Sequence, residues 1–202
     1  AEPVFLRDLD QAWGRPSARV RLSFLPGVEA PSAPGHEDAL MSYERGGLGV
    51  LVARGRTSVY EGEAARSATA LARIASGARL RAALLVTRAT PLRGSGDVAG
   101  GSAPGQVRVV ADHLNLSGGS LFPAPGMVSA GWDATLTERL GSLRGVSGSS
   151  VVALVPGPLR PSPAESRALV SLGADAAVTD SVAEAMVLAS RGVAVSALTY
   201  LD

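Results

Sequence analysis

Two histidines, His36 and His113, are the only side chains that titrate near neutral pH. Each sits in a pattern that suggests chemistry. Pro34-Gly35-His36 comes before one strand, and the next strand runs into Gly55-Arg56-Thr57-Ser58-Val59-Tyr60-Glu61-Gly62. A later strand ends in Asp112-His113-Leu114-Asn115-Leu116. A histidine can exchange protons near neutral pH, and a guanidinium such as that of Arg56 can bind an anion. Each residue also has a plainer reading. Arg56 can be a surface Arg at a strand end, Tyr60 and Glu61 can pack and cap the next helix, and His113 and Asn115 can support a loop. Cysteine is absent, so thiolate catalysis, disulfides and Cys-ligated metal sites are excluded.

The elements that must position these residues alternate. Short Val- and Leu-rich runs at 19–25, 49–53, 82–87, 107–111, 151–155 and 193–198 suit strands buried on both faces. Helical periodicity covers 64–76 and 132–143, where Leu136, Leu140 and Leu143 share a face. Ser162-Pro163-Ala164-Glu165 reads as a capping box with proline at the first helical position, and Ser181-Val182-Ala183-Glu184 repeats it without the proline. Those boxes account for Glu165 and Glu184 without catalysis, and Asp180 stands where it can serve a helix dipole. The Gly- and Pro-rich stretches 91–105 and 117–131 read as long loops. The alternation argues an α/β sandwich with a largely parallel or mixed sheet, and the fold expected for the chain is a three-layer sandwich with a twisted mixed β-sheet.

With 46% hydrophobic and 18% charged residues, the 202-residue chain reads as one globular domain over 1–202. A formal net charge of +1 offers no basic stripe for nucleic acid and no charged tail for an anionic membrane. No apolar run reaches the roughly 18–20 residues a membrane span needs. The chain is expected to be soluble and cytoplasmic. Its first residues lack the pattern of a signal peptide, although Ala1 could also follow removal of a leader.

Together these segments resemble the purine nucleoside phosphorylase family, of the trimeric type that includes methylthioadenosine phosphorylase. Five stretches match family motifs in the family's order: Pro34–His36, Gly55–Gly62, Thr87–Leu92, Asp112–Leu116 and Gly157–Glu165. The run Leu172-Gly173-Ala174-Asp175-Ala176 also fits, so the resemblance spans about Arg19 to Leu201. It implies a nucleoside phosphorylase-like fold and a reaction in which phosphate attacks the anomeric carbon of a purine nucleoside as the N-glycosidic bond breaks. By position, His36 matches a catalytic histidine near the phosphate. Arg56, Ser58 and the backbone of Ala89 match phosphate-binding positions, and Tyr60, Thr179 and Asp180 match substrate-binding ones. Neither metal nor cofactor is implied; inorganic phosphate is the co-substrate. The expected partners are a purine nucleoside or related small molecule and further subunits, as a homotrimer or as a heteromer with a paralogue.

Much of the family's pattern is altered. Phe24-Leu25-Pro26-Gly27-Val28 stands for a phosphate loop that carries Ser, and Pro26 removes an N–H there. Ser58 replaces a histidine, Arg88 an asparagine, and Arg160-Pro161 a Phe-Glu pair that recognises the base. Asp180 replaces the serine of a Met-Ser-Thr segment. The chain ends at Asp202, before the family's purine-binding asparagine and C-terminal helix. Two functions are therefore expected to compete: weak phosphorolysis by a divergent member, and a non-catalytic structural or binding subunit.

Overall fold

Gly46 and Gly47 stand in succession at φ 56° and 76°, the signs a two-residue hairpin turn requires. They join β2 (Leu40–Arg45) to β3 (Leu48–Ala53), paired from Arg45 opposite Leu48 to Leu40 opposite Ala53. In the computed structural model, residues 9–58, 61, 64–93, 102–119, 121–122, 127, 131–157 and 160–202 are described. They divide into two compact units, one ending at Ile74 and one beginning at Ala75.

In the first unit, β1 (Ala18–Val20) adds antiparallel to β2, giving a three-stranded sheet ordered β1-β2-β3. Met41 and Tyr43 on β2 are buried with Ala39, and helix α1 (Leu9–Trp13) lays Trp13 edge-on against Tyr43 with ring centres 5.7 Å apart. The strand expected over 19–25 is cut short. Ser23 gives its N–H and its hydroxyl to the Asp38 carboxylate at 2.9 and 2.6 Å, and residues 22–24 wind into a 3₁₀ turn. The single helix expected over 64–76 is likewise divided, into α2 (Ala65–Ala68) and α3 (Ala70–Gly77). Thr69 lies at the break and returns its hydroxyl to the Ala65 carbonyl at 2.9 Å, a bond that competes with regular helix.

The second unit holds β4 (Ala82–Pro91), β5 (Val107–Asn115), β6 (Val146–Leu154), β7 (Ala176–Val178) and β8 (Ala194–Leu201). The expected mixed sheet is present, and it closes on itself in the order β4-β7-β6-β5-β8. β4 runs parallel to β8 and β5 parallel to β6, while β4–β7 and β5–β8 are antiparallel. All five strands contribute to one cluster, among them Ala89, Val110, Val152, Val178 and Leu201.

Helices cover β6 and β7 on both faces. Val182 and Met186 of α6 (Val182–Ser190) pack with Val152 and Val178, whereas Leu169 and Val170 of α5 (Pro163–Ser171) pack with Ala153 and Ala177. Alternation along each strand sends these neighbours to opposite sides. Helix α4 (Ala134–Gly141) starts from Asp133, which accepts the Leu136 N–H. The capping box at Ser162 forms as expected. The box expected at Ser181 does not. Ser181 takes φ 66° and turns its hydroxyl to the Asp180 carbonyl at 2.6 Å, so its side chain does not cap α6; Glu184 is buried.

Candidate functional site

The first unit gathers the Gly55-Arg56 segment around His36. A Cβ on Gly55 would lie 2.5 Å from the Glu37 carbonyl oxygen and 2.9 Å from Pro31, so only glycine permits this approach. The approach sets the next residue. His36 Nδ1 lies 2.9 Å from the Arg56 carbonyl oxygen and 3.4 Å from the Arg56 nitrogen, so both main-chain groups of Arg56 meet that ring nitrogen. Thr57 anchors the strand exit by donating to the Glu29 carbonyl at 3.0 Å.

Ser58 follows, 2% exposed; its hydroxyl has no hydrogen-bond partner among the described residues, while its N–H donates to Glu61 at 2.7 Å. Glu61 also accepts the N–H of Ser32 at 2.9 Å and the Ser32 hydroxyl. Burial acts to raise the Glu61 pKa, but the bonds from Ser32 and Ser58 and the positive field of His36 outweigh it and hold the carboxyl below its ordinary range. Glu61 is therefore an anionic brace tying the turn at Ser32 to the segment after β3. Tyr60 lies outside the described residues.

The second unit holds the other candidates. Ala89 is 3% exposed and lies within β4, which extends to Pro91 rather than ending at Thr87; its carbonyl accepts the Asp202 N–H at 3.0 Å. Thr179 and Asp180 follow β7 and are partly buried. Thr87 donates its hydroxyl to Asp180, whose main-chain oxygen accepts the Val182 N–H at 2.8 Å. Asp180 thus ties β4 to the start of α6.

Arg88 and Arg160 meet on one carboxylate. Asp202 pairs with Arg88, and Arg160 Nη2 approaches the same oxygen at 3.7 Å. His113 takes no part in a polar catalytic group among the described residues. Its Nδ1 accepts the Trp132 indole N–H at 3.0 Å, and the rings stand edge to face 5.9 Å apart. Asn115 accepts the Ser117 N–H and hydroxyl at 3.1 and 2.7 Å, closing a local turn. Glu165 is held by its capping box, which keeps its carboxyl below the usual range.

Sequence reasoning missed Ser32 and Asp202 as partners. The bonded pairs are 29 and 114 residues apart, so no local spacing announced them. Among the described residues, no group of three His, Asp or Glu side chains is placed to hold a metal ion.

The chain is 33% identical over 185 residues to purine nucleoside phosphorylases of Mycobacterium tuberculosis and Mycobacterium bovis, covering 90% of this chain and 66% of each relative. The purine nucleoside phosphorylase of Mycobacterium leprae is 34% identical over 172 residues, covering 83% of this chain and 61% of the relative. The chain thus spans just under two thirds of their length. No family model matches it. Purine nucleoside phosphorylase of Schistosoma mansoni superposes with a TM-score of 0.71 at 21% identity, both in complex with inosine and in complex with BCX-34. The inosine complex covers 93% of this chain and 72% of that one; the BCX-34 complex covers 91% and 73%. That likeness fixes the fold.

Proposed function

The chain belongs to the purine nucleoside phosphorylase family, and from that premise we propose that it is a divergent member that binds a purine nucleoside and cleaves it slowly with inorganic phosphate. Phosphate attacks the anomeric carbon, the bond from that carbon to the base nitrogen breaks, and the pentosyl group passes from base to phosphate.

One observation carries the reading: His36 Nδ1 meets the Arg56 main chain at 2.9 Å, two residues before the buried Ser58 hydroxyl. In this reading His36 stands near the anion, Arg56 supplies a guanidinium fork, and Ser58 has a donor not used elsewhere among the described residues. The reading gives Ala89 a backbone contact to phosphate, and Tyr60, Thr179 and Asp180 contacts to substrate. It includes a cytoplasmic location, phosphate as co-substrate without a further cofactor, and a trimer or a heteromer with a paralogue. It also includes the three-layer arrangement, which the helices on both faces of β6 and β7 support.

A second reading, a non-catalytic binding or structural subunit, is favoured by Arg88, Arg160 and Asp202. Arg88 stands where the family has an asparagine and Arg160 where it has the Phe of its Phe-Glu pair, and these two guanidinium groups, donors only, are already engaged by a carboxylate. Losing one preorganised group costs on the order of 10² to 10³ in rate, so turnover is expected to be slow. Phosphate-dependent cleavage of inosine, guanosine, adenosine and methylthioadenosine, measured at high protein concentration beside Arg56→Ala, separates the two. Turnover that vanishes in Arg56→Ala supports the enzyme; turnover no greater than the variant's rejects it in favour of the binding subunit.

A further inference from the structure

At the ends of β4 and β8 the second unit presents an exposed ionic cluster. Arg88 on β4 is the partner of Tyr200 on parallel β8, so their side chains leave the sheet on the same face, from strands about 4.8 Å apart. Asp202 lies two residues beyond Tyr200 and therefore on that face as well. Ala89 and Leu201, the intervening residues, point the other way and belong to the core. The Asp202 N–H donates to the Ala89 carbonyl at 3.0 Å, which fixes the main chain beneath the cluster and leaves the carboxylate to the arginines. Arg88 pairs with it, and Arg160, from the segment before α5, brings Nη2 to 3.7 Å from the same oxygen. All three are open to a ligand: the Arg88 and Arg160 side chains are 52% and 66% exposed, and Tyr200 is 38% exposed.

We propose that Arg88 and Arg160 form the specificity pair for a purine nucleoside whose base carries a carboxylate, and that Asp202 occupies the pair until such a ligand displaces it. The inference rests on the proposed function for one point, that the ligand is a nucleoside; the carboxylate follows from the cluster. Guanidinium groups only donate, whereas the edge of a neutral purine mixes acceptors with N–H donors, so two arginines facing it set donors against donors. An ionised carboxylate accepts only, and its two oxygens match the planar fork. The resident partner has that same chemistry. One carboxylate shared by two guanidinium groups leaves one positive charge in excess among the paired groups. Exposed ion pairs of this kind contribute little, so a ligand carboxylate can replace Asp202 at small cost. Tyr200 adds an aromatic face beside Arg88, on which a planar base can stack.

The test is calorimetric titration of the full chain, without phosphate, using adenosine carboxymethylated on its exocyclic amine. Adenosine and the methyl ester of that acid are the neutral counterparts, and acetate supplies the carboxylate without the nucleoside. The acid is expected to bind roughly tenfold or more tightly than either neutral nucleoside, and Arg88→Gln and Arg160→Gln each to remove most of that advantage. Asp202→Asn is expected to strengthen binding of the acid severalfold, because it removes the competing carboxylate while keeping the side chain's size. A gain in that variant cannot come from a loss of folding. Equal binding of the three nucleosides, or an advantage that survives both arginine substitutions, overturns the proposal and leaves the nucleoside reading standing. Acetate binding as tightly as the acid, with the same dependence on Arg160, overturns the nucleoside premise instead, since the carboxylate then carries all the affinity. Asp202→Asn that fails to strengthen the acid overturns the role given to Asp202, and a wild type that binds none of the four overturns both the proposal and its premise.

Discussion

At the scale of single residues, His113 shows how environment decides the role of a titratable group. Burial lowers its pKa, the neighbouring Asp112 opposes that in part, and the Trp132 indole N–H donates to Nδ1, a bond that only the neutral ring can accept there. The unfolded chain therefore binds a proton at His113 before the folded one does. Above about pH 6.5 both states are neutral and the full stability is present; as pH falls below that value stability is lost, until the folded-state pKa is also passed. Urea midpoints measured from about pH 8 to about pH 5.5 are expected to fall, and His113→Asn to flatten the decline. A midpoint constant across that range in the wild type rejects the assignment. Glu61 and Asp38 act lower. Hydrogen bonds from Ser32 and Ser58, and from Ser23, hold their carboxyls below ordinary values, so their stabilisation is present above about pH 4.5 and is lost as pH drops through the folded-state values.

At the scale of elements, the connection leaving β3 is the most constrained segment of the first unit. Adding a methyl group at Gly55 forces backbone against backbone, because the nearest atom is the Glu37 carbonyl oxygen rather than the end of a flexible side chain. Gly55→Ala is expected to cost about 2–3 kcal/mol in chemical denaturation and to loosen the bond between His36 and Arg56. A loss below about 0.5 kcal/mol contradicts the geometry. The elements that were legible in the sequence are those whose cause is local: the box at Ser162 needs only three residues and one backbone conformation, and the long apolar strands need only composition. Others depend on distant partners. β2 mixes apolar with charged residues and was not among the expected strands; β7 has three residues, too few for a period. The box at Ser181 failed because Thr87, from β4, holds Asp180 and the chain enters α6 through a strained φ.

At the scale of the whole molecule, the family was legible because motif order survives when individual residues change. The partners of the site residues were not, since Ser32 reaches Glu61 and Asp202 reaches Arg88 only after folding. The same logic bears on assembly. β3 lies at an edge of its sheet, and Leu48 and Leu51 on it are 59% and 51% exposed, an apolar strand with open backbone groups among the described residues. Such an edge is a liability for an isolated chain unless something covers it. A net charge of +1 supplies almost no repulsion to keep copies apart. Light scattering at micromolar concentration is therefore expected to give a mass near 61 kDa, about three times the 20.4 kDa of the chain, as the proposed trimer requires. Leu51→Lys, which places a charge on that edge, is expected to shift the population towards smaller species while leaving far-UV circular dichroism unchanged. A sharp 20.4 kDa species for the wild type counts against the homotrimer, and a larger mass only when a paralogue is added points to the heteromer. A trimer whose mass is untouched by Leu51→Lys retains the assembly but moves its interface away from β3.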